Sequence, residues 1–145
     1  MKSIVIASVL LLTGGMLLAQ TPIDQLQQNN SEYLKEMESE GFQFRSQIIT
    51  EFNPENAEQL VKIKLKAGAT YQLIALGDAD IENVTLGVKS FKKYATTSET
   101  GEAPTANSDV MALVPEKSGT FKITIAVKDF SSTGQGFVSF MVLRK

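Results

Sequence analysis

The chain has 145 residues, 43% of them hydrophobic and 21% charged, and its 14 basic and 16 acidic side chains give a formal charge of −2. That length and mix fit one ordinary folded domain. Histidine and cysteine are both absent, which removes zinc sites of the usual ligands, cysteine nucleophiles, Ser-His-Asp triads and any disulfide framework. An acidic total also gives no general attraction to nucleic acid, which is not expected as a partner.

Lys2, the apolar run over 4–12, and Leu17, Leu18 and Ala19 ahead of Gln20 have the charged start, short apolar stretch and small-residue exit of a secretory signal. Residues 1–19 are therefore expected to be a signal peptide and the product to be periplasmic or secreted. Thr13, Gly14 and Gly15 interrupt the apolar run, so no stable membrane span is expected after cleavage. With no cysteine to carry a lipid, a lipoprotein is disfavoured.

An N-terminal unit over 20–41 comes next. Thr21, Pro22 and Asp24 suit a helix start: the hydroxyl caps free amides, proline is tolerated in the first turn, and a carboxylate favours the positive end of the dipole. Ile23, Leu26, Tyr33, Leu34 and Met37 recur at helical spacing among Gln and Glu residues, predicting one amphipathic helix over 22–40 that Gly41 stops.

Beyond Gly41 the period falls from 3.6 to 2. Val61, Ile63 and Leu65 alternate with Lys62, Lys64 and Lys66, and Phe121, Ile123, Ile125 and Val127 alternate with Lys122, Thr124, Ala126 and Lys128. Each segment reads as a strand with one aliphatic and one solvated face. Further strands are predicted over 44–52, 71–76, 84–90, 110–114 and 137–143, separated by turn signals such as Asn53-Pro54 and Gly77-Asp78. About seven short strands without helical crossovers predict a mainly β fold over 42–145: an antiparallel β-sandwich, jelly-roll or immunoglobulin-like, with the helix across an edge or open end. Residues 92–108, rich in Thr, Ser, Glu, Gly and Pro, read as a long mobile loop. The strand over 137–143 is apolar on both faces apart from Ser139, which predicts a central position or cover by the N-terminal helix.

The segment Leu65-Lys66-Ala67-Gly68-Ala69-Thr70-Tyr71-Gln72-Leu73-Ile74-Ala75, with Gly77-Asp78-Ala79-Asp80-Ile81-Glu82-Asn83-Val84-Thr85-Leu86 after it, resembles the central part of bacterial pre-peptidase C-terminal (PPC-type) domains. Val114-Pro115-Glu116-Lys117-Ser118-Gly119-Thr120-Phe121-Lys122-Ile123-Thr124-Ile125 is similar to a later strand, turn and strand of the same family. The resemblance extends over 43–145. It implies a small β-sandwich that serves secreted hydrolases as an accessory or binding module without chemistry of its own. Asn83 and Thr85 stand where such domains often carry further carboxylates, a departure that bears on calcium binding.

Asp78, Asp80 and Glu82 form the densest oxygen-ligand cluster and are the candidate ligands of a hard cation such as calcium; apart from that candidate no cofactor is expected. Lys89 occupies the position where an EF-hand loop needs its bidentate glutamate, and the competing reading is a solvated turn. Lys62, Lys64 and Lys66 recur at about 6–7 Å along one strand face. With Tyr94, they are the candidate ligand-binding residues, for an anionic glycan or phosphate-rich surface; protection of a sheet edge is the competing role. Phe91, Tyr94 and Phe130 fall near predicted strand ends, where rings either plug the sandwich or stack on a ligand.

These residues together predict an exported, non-enzymatic module binding a protein, peptide or glycan in the envelope or outside the cell. A structural envelope protein docking a partner through its helix is the alternative, and a weak hydrolase the third. No catalytic residue is assigned.

Overall fold

The computed structural model describes residues 21–88, 96–100, 103 and 106–145, so the expected signal peptide lies outside the described residues. Helix α1 spans Pro22–Ser39. Its start is a capping box: Thr21 Oγ1 accepts the Asp24 N–H at 3.2 Å, and the Asp24 carboxylate accepts the Thr21 N–H at 3.2 Å and the Thr21 hydroxyl at 2.6 Å. The hydroxyl bond, with the backbone bond behind it, holds Asp24 below the usual carboxylate value. The helix ends where Gly41 takes a left-handed conformation at φ 91°. Phe42 N–H then reaches the Met37 carbonyl and Gly41 N–H the Glu38 carbonyl, each at 3.0 Å, a Schellman ending that leaves Phe42 directed back onto the helix. Among the described residues no helix is long and apolar enough to cross a membrane.

Eight strands follow: β1 (Gln43–Phe52), β2 (Glu58–Leu65), β3 (Tyr71–Gly77), β4 (Ile81–Val88), β5 (Thr96–Thr100), β6 (Ser108–Pro115), β7 (Gly119–Phe130) and β8 (Gly136–Arg144). They make two antiparallel sheets, one ordered β1-β8-β3-β6-β5 and the other β2-β7-β4. The nested pairings β1 with β8, β2 with β7 and β3 with β6 are those of a long hairpin rolled up, which is jelly-roll connectivity. The seven expected strands are all present, and β5 is an addition to them.

That addition corrects the reading of 92–108 as a loop. Thr-Thr-Ser-Glu-Thr shows no apolar alternation, but an edge strand needs none, and β-branched threonine suits extended backbone. Here β5 pairs Thr96 with Pro115 through Thr100 with Met111 at the rim of the larger sheet, instead of pairing with β4. The edge of β4 is instead touched by Asp109 of β6, whose Oδ2 accepts the Leu86 N–H at 2.7 Å and so ties the two sheets together.

Between the sheets, Phe52, Leu65, Tyr71, Leu73, Leu113, Phe121, Ile123, Ile125 and Phe140 form the main core. The helix position is a second correction. It lies on the outer face of the larger sheet, not across an edge or open end: Leu26, Tyr33 and Met37 are buried against Ile74, Leu76, Val110, Met141 and Leu143. The reason is compositional. The central strands β3 and β8 are apolar on both faces, and the face turned away from the sandwich core must also be kept from water. One polar contact sits within this layer, where the buried Ser139 hydroxyl accepts from Asn30 Nδ2 and from Gln47 Nε2, both at 2.9 Å. Burial pushes the Tyr33 phenol up to about 12, with Glu36 and Glu40 adding to the effect.

Candidate functional site

The three acidic candidates are held apart in their roles by the β3–β4 turn. Asp78 is buried; its Oδ2 accepts the Phe137 N–H at 2.9 Å and its Oδ1 the Asp80 N–H at 3.0 Å. The Asp78 N–H in turn donates to the Phe137 carbonyl at 2.9 Å. Asp80 Oδ1 accepts the Ser131 hydroxyl at 2.9 Å, while Glu82 is exposed on β4. The neighbouring backbone is equally committed, since Asn107 Nδ2 donates to the carbonyls of Gly77 at 2.8 Å and Asp78 at 2.6 Å. Two glycines permit the close packing: a Cβ at Gly77 would stand 2.6 Å from Ile81 Cβ, and one at Gly136 would stand 2.8 Å from Asp78 Oδ1. Asp78 and Asp80 thus clamp the turn to the start of β8 and to the β7–β8 loop before it. Among the described residues no group of three or more acidic side chains is placed to hold a metal ion.

The basic candidates are brought together. β1 is an edge of the larger sheet and β2 an edge of the smaller one, and a groove of about 500 Å³ opens between them. Buried Tyr71 and Val142 with half-buried Ile63 form its floor; Arg45, Ser46, Lys62, Lys64, Lys66 and Arg144 form its rim. Each cation is there for a local reason. Strand alternation turns Val61 and Leu65 into the core and leaves Lys62 and Lys64 exposed. Lys66 follows the strand, its N–H donating to the Tyr71 hydroxyl at 3.0 Å. Arg45 sits where the β1–β8 register shifts between Phe44 and Ser46, a bulge that re-aims its side chain. Arg144 lies two residues beyond Val142, on the inward side of β8 where the sandwich opens.

A smaller depression of about 310 Å³ shares Arg45 and Arg144 and adds Gly41, Gln43 and Lys145. Lys145 Nζ stands 5.6 Å from the Phe42 ring centroid, within cation–π range. Six of the chain's 14 basic residues, Arg45, Lys62, Lys64, Lys66, Arg144 and Lys145, therefore line one continuous surface, and among the described residues no Asp or Glu side chain lines it. Same-sign charge beside an apolar, low-dielectric floor concentrates a positive field that draws anions.

The chain matches no known family model, and no curated protein or solved structure is significantly similar to it.

Of the sequence candidates, Lys62, Lys64 and Lys66 meet at the groove, whereas Phe91 and Tyr94 lie outside the described residues. Phe130 is half-buried and packs against the main core. Arg45 and Arg144 were missed by the sequence reading. Arg144 carried a signal: at period 2 from Val142 it is an arginine on an apolar strand face, which only an opening in the sandwich accommodates. Arg45 carried none, because a bulge is invisible in a strand pattern.

Proposed function

We propose that this protein is an exported, non-enzymatic binding module of PPC-like type, which holds an anionic chain, a uronate-bearing glycan or an acidic peptide segment, in the groove between β1 and β2. The observation that carries the reading is the convergence of Arg45 and Arg144 with Lys62, Lys64 and Lys66 around an apolar floor. An extended ligand would lay its anionic groups along the lysine row, at intervals matching the about 6–7 Å strand repeat, and its less polar stretches on Tyr71 and Ile63. The signal-like start and the resemblance over 43–145 support the same assignment to an accessory module outside the cytoplasm. The apolar stripe of α1 is covered by the chain's own sheet, which weighs against docking a partner through the helix. A hydrolase reading lacks support of its own, since among the described residues no Asp or Glu lines the groove, and Asp78 and Asp80 are bonded to Phe137 and Ser131.

Calorimetric titration with oligogalacturonate and oligoglutamate tests this, using neutral oligogalactose and oligoglutamine as controls. Binding of at least one anionic chain, weakened about tenfold or more by joint Arg45→Ala and Arg144→Ala substitution and by raised salt, is expected. Equal binding of charged and neutral chains, or of neither, contradicts it.

A further inference from the structure

The two outer faces of the sandwich are finished differently. That of the larger sheet is covered by α1, while no described element packs on that of the smaller sheet. Strand alternation turns Glu58, Leu60, Lys62 and Lys64 of β2 outward, and Lys122 and Lys128 of β7 outward beside them. The register sets Lys62 directly opposite Lys122, with Lys64 opposite Thr120 and Leu60 opposite Thr124. Like charges placed opposite one another on a sheet are unfavourable unless an anion lies over them. Lys62, Lys64 and Lys122 thus form a cationic cluster on this face, while Lys128 stands farther along β7, next to exposed Asp129 and close to Glu82 of β4, and Glu58 is the carboxylate of β2; the chain's total charge is −2. In the same field Leu60, a large aliphatic side chain, is 44% exposed.

We infer that this bare face is a docking surface for an anionic lipid bilayer. It goes beyond the groove: Arg45 and Arg144 take no part in it, and Lys122 and Lys128 are not among the groove residues. Three features favour a bilayer over a soluble polyanion. A sheet face is broad and shallow, matching a planar surface. The lysines are spread over two strands instead of following one line, so they meet headgroups in an area. Leu60 borders the lysine cluster, next to Lys62 and opposite Thr124, where an exposed aliphatic side chain can enter the hydrocarbon beneath a charged layer. The lysine stems snorkel to the phosphates while Leu60 enters the boundary. The acidic remainder of the chain is repelled by the same surface, which fixes which side faces it.

The chain contains no tryptophan, so Leu60→Trp supplies a single tryptophan on this face, beside the lysine cluster. The full chain carrying that substitution is mixed with vesicles of phosphatidylglycerol and phosphatidylcholine, or of phosphatidylcholine alone. The expected result is a blue shift, and quenching by acyl-brominated lipid, with the anionic vesicles only; both are lost at about 0.5 M salt. Adding Lys122→Glu and Lys128→Glu lowers vesicle affinity by about tenfold or more, since each basic residue near the surface contributes about fivefold. Adding Arg45→Ala and Arg144→Ala leaves the vesicle response in place, which separates this surface from the groove. Sedimentation of the chain with Leu60 intact, with and without the two glutamate changes, repeats the comparison without the tryptophan. An equal response to uncharged vesicles overturns the inference, because the apolar N-terminal segment then accounts for it. So does no response to anionic vesicles, or an equal affinity for soluble dextran sulfate without lipid quenching.

Discussion

Asp78 and Phe137 hold each other through two bonds at 2.9 Å, one from the Phe137 N–H to the Asp78 carboxylate and one from the Asp78 N–H to the Phe137 carbonyl. This pair joins the β3–β4 turn to the start of β8, and its carboxylate is buried. Removing it leaves the Phe137 and Asp80 amides without their acceptor. Asp78→Ala is expected to lower unfolding stability by about 3 kcal/mol, within the range for bonds to charged groups. Asp78→Asn, which keeps one acceptor oxygen, should cost less. Urea denaturation of the two variants checks the order. Because both oxygens of Asp78 are already bonded, millimolar calcium should leave the thermal midpoint of the wild type unchanged.

The same turn depends on missing side chains. Gly77 and Gly136 both face Ile81 at distances that a Cβ cannot occupy. Gly77→Ala and Gly136→Ala are each expected to destabilise by about 1–3 kcal/mol, as overpacking does. Gly134, whose position is open on all sides but has φ 70°, should respond to backbone strain instead, by about 1 kcal/mol on substitution with alanine. Thermal melts of the three variants distinguish the two causes when Asn is placed at each site: Asn tolerates the left-handed region at Gly134 and worsens the clash at Gly77 and Gly136.

The helix layer has its own polar test. Ser139 accepts from both Asn30 and Gln47 inside an otherwise apolar contact. Ser139→Ala should cost about 1–3 kcal/mol because two donors lose their acceptor. In a double-mutant cycle with Asn30→Leu, the combined change should cost less than the sum of the single changes, since Asn30 no longer needs a partner. Strict additivity in denaturant unfolding would show that the two residues do not interact.

Alkaline titration reads the same layer. The Tyr33 phenol is raised from 10.0 to about 12 by burial, so the folded chain keeps its proton over a range where the unfolded chain has lost it. Its contribution is fully present below about pH 10 and is lost as pH rises through about 12. Stability should therefore fall across that interval, and the fall should be smaller in Tyr33→Phe. Denaturant unfolding of both proteins at stepped pH checks the difference.

How much of this was legible beforehand follows from what each residue type signals locally. Lys62, Lys64 and Lys66 announced both their strand and their exposed face, because alternation with Val61, Ile63 and Leu65 encodes the two together. Thr21 and Gly41 marked the helix ends by capping chemistry, which depends on near neighbours alone. The apolar faces of β8 pointed to a central position or to cover by the N-terminal helix, and both hold; the separate expectation of α1 across an edge or open end fails, because two-sided burial fixes the face that needs cover while helix amphipathicity alone does not. β5 was illegible because its sequence lacks a burial pattern, although it pairs with the next strand in the chain. The acidic trio illustrates the reverse error. Asp78, Asp80 and Glu82 are close in sequence, but a turn sends one inward to amides, ties one to Ser131 and leaves one exposed.

The groove between β1 and β2 is the central claim, and amide NMR of the labelled protein during addition of oligogalacturonate or oligoglutamate tests it most directly. The account predicts that the largest, saturable shifts fall at Arg45, Ser46, Lys62 to Lys66, Tyr71 and Val142 to Arg144, and shrink as salt is raised. Shifts centred on the Asp78 turn or on α1, or none at any concentration of either chain, would contradict it.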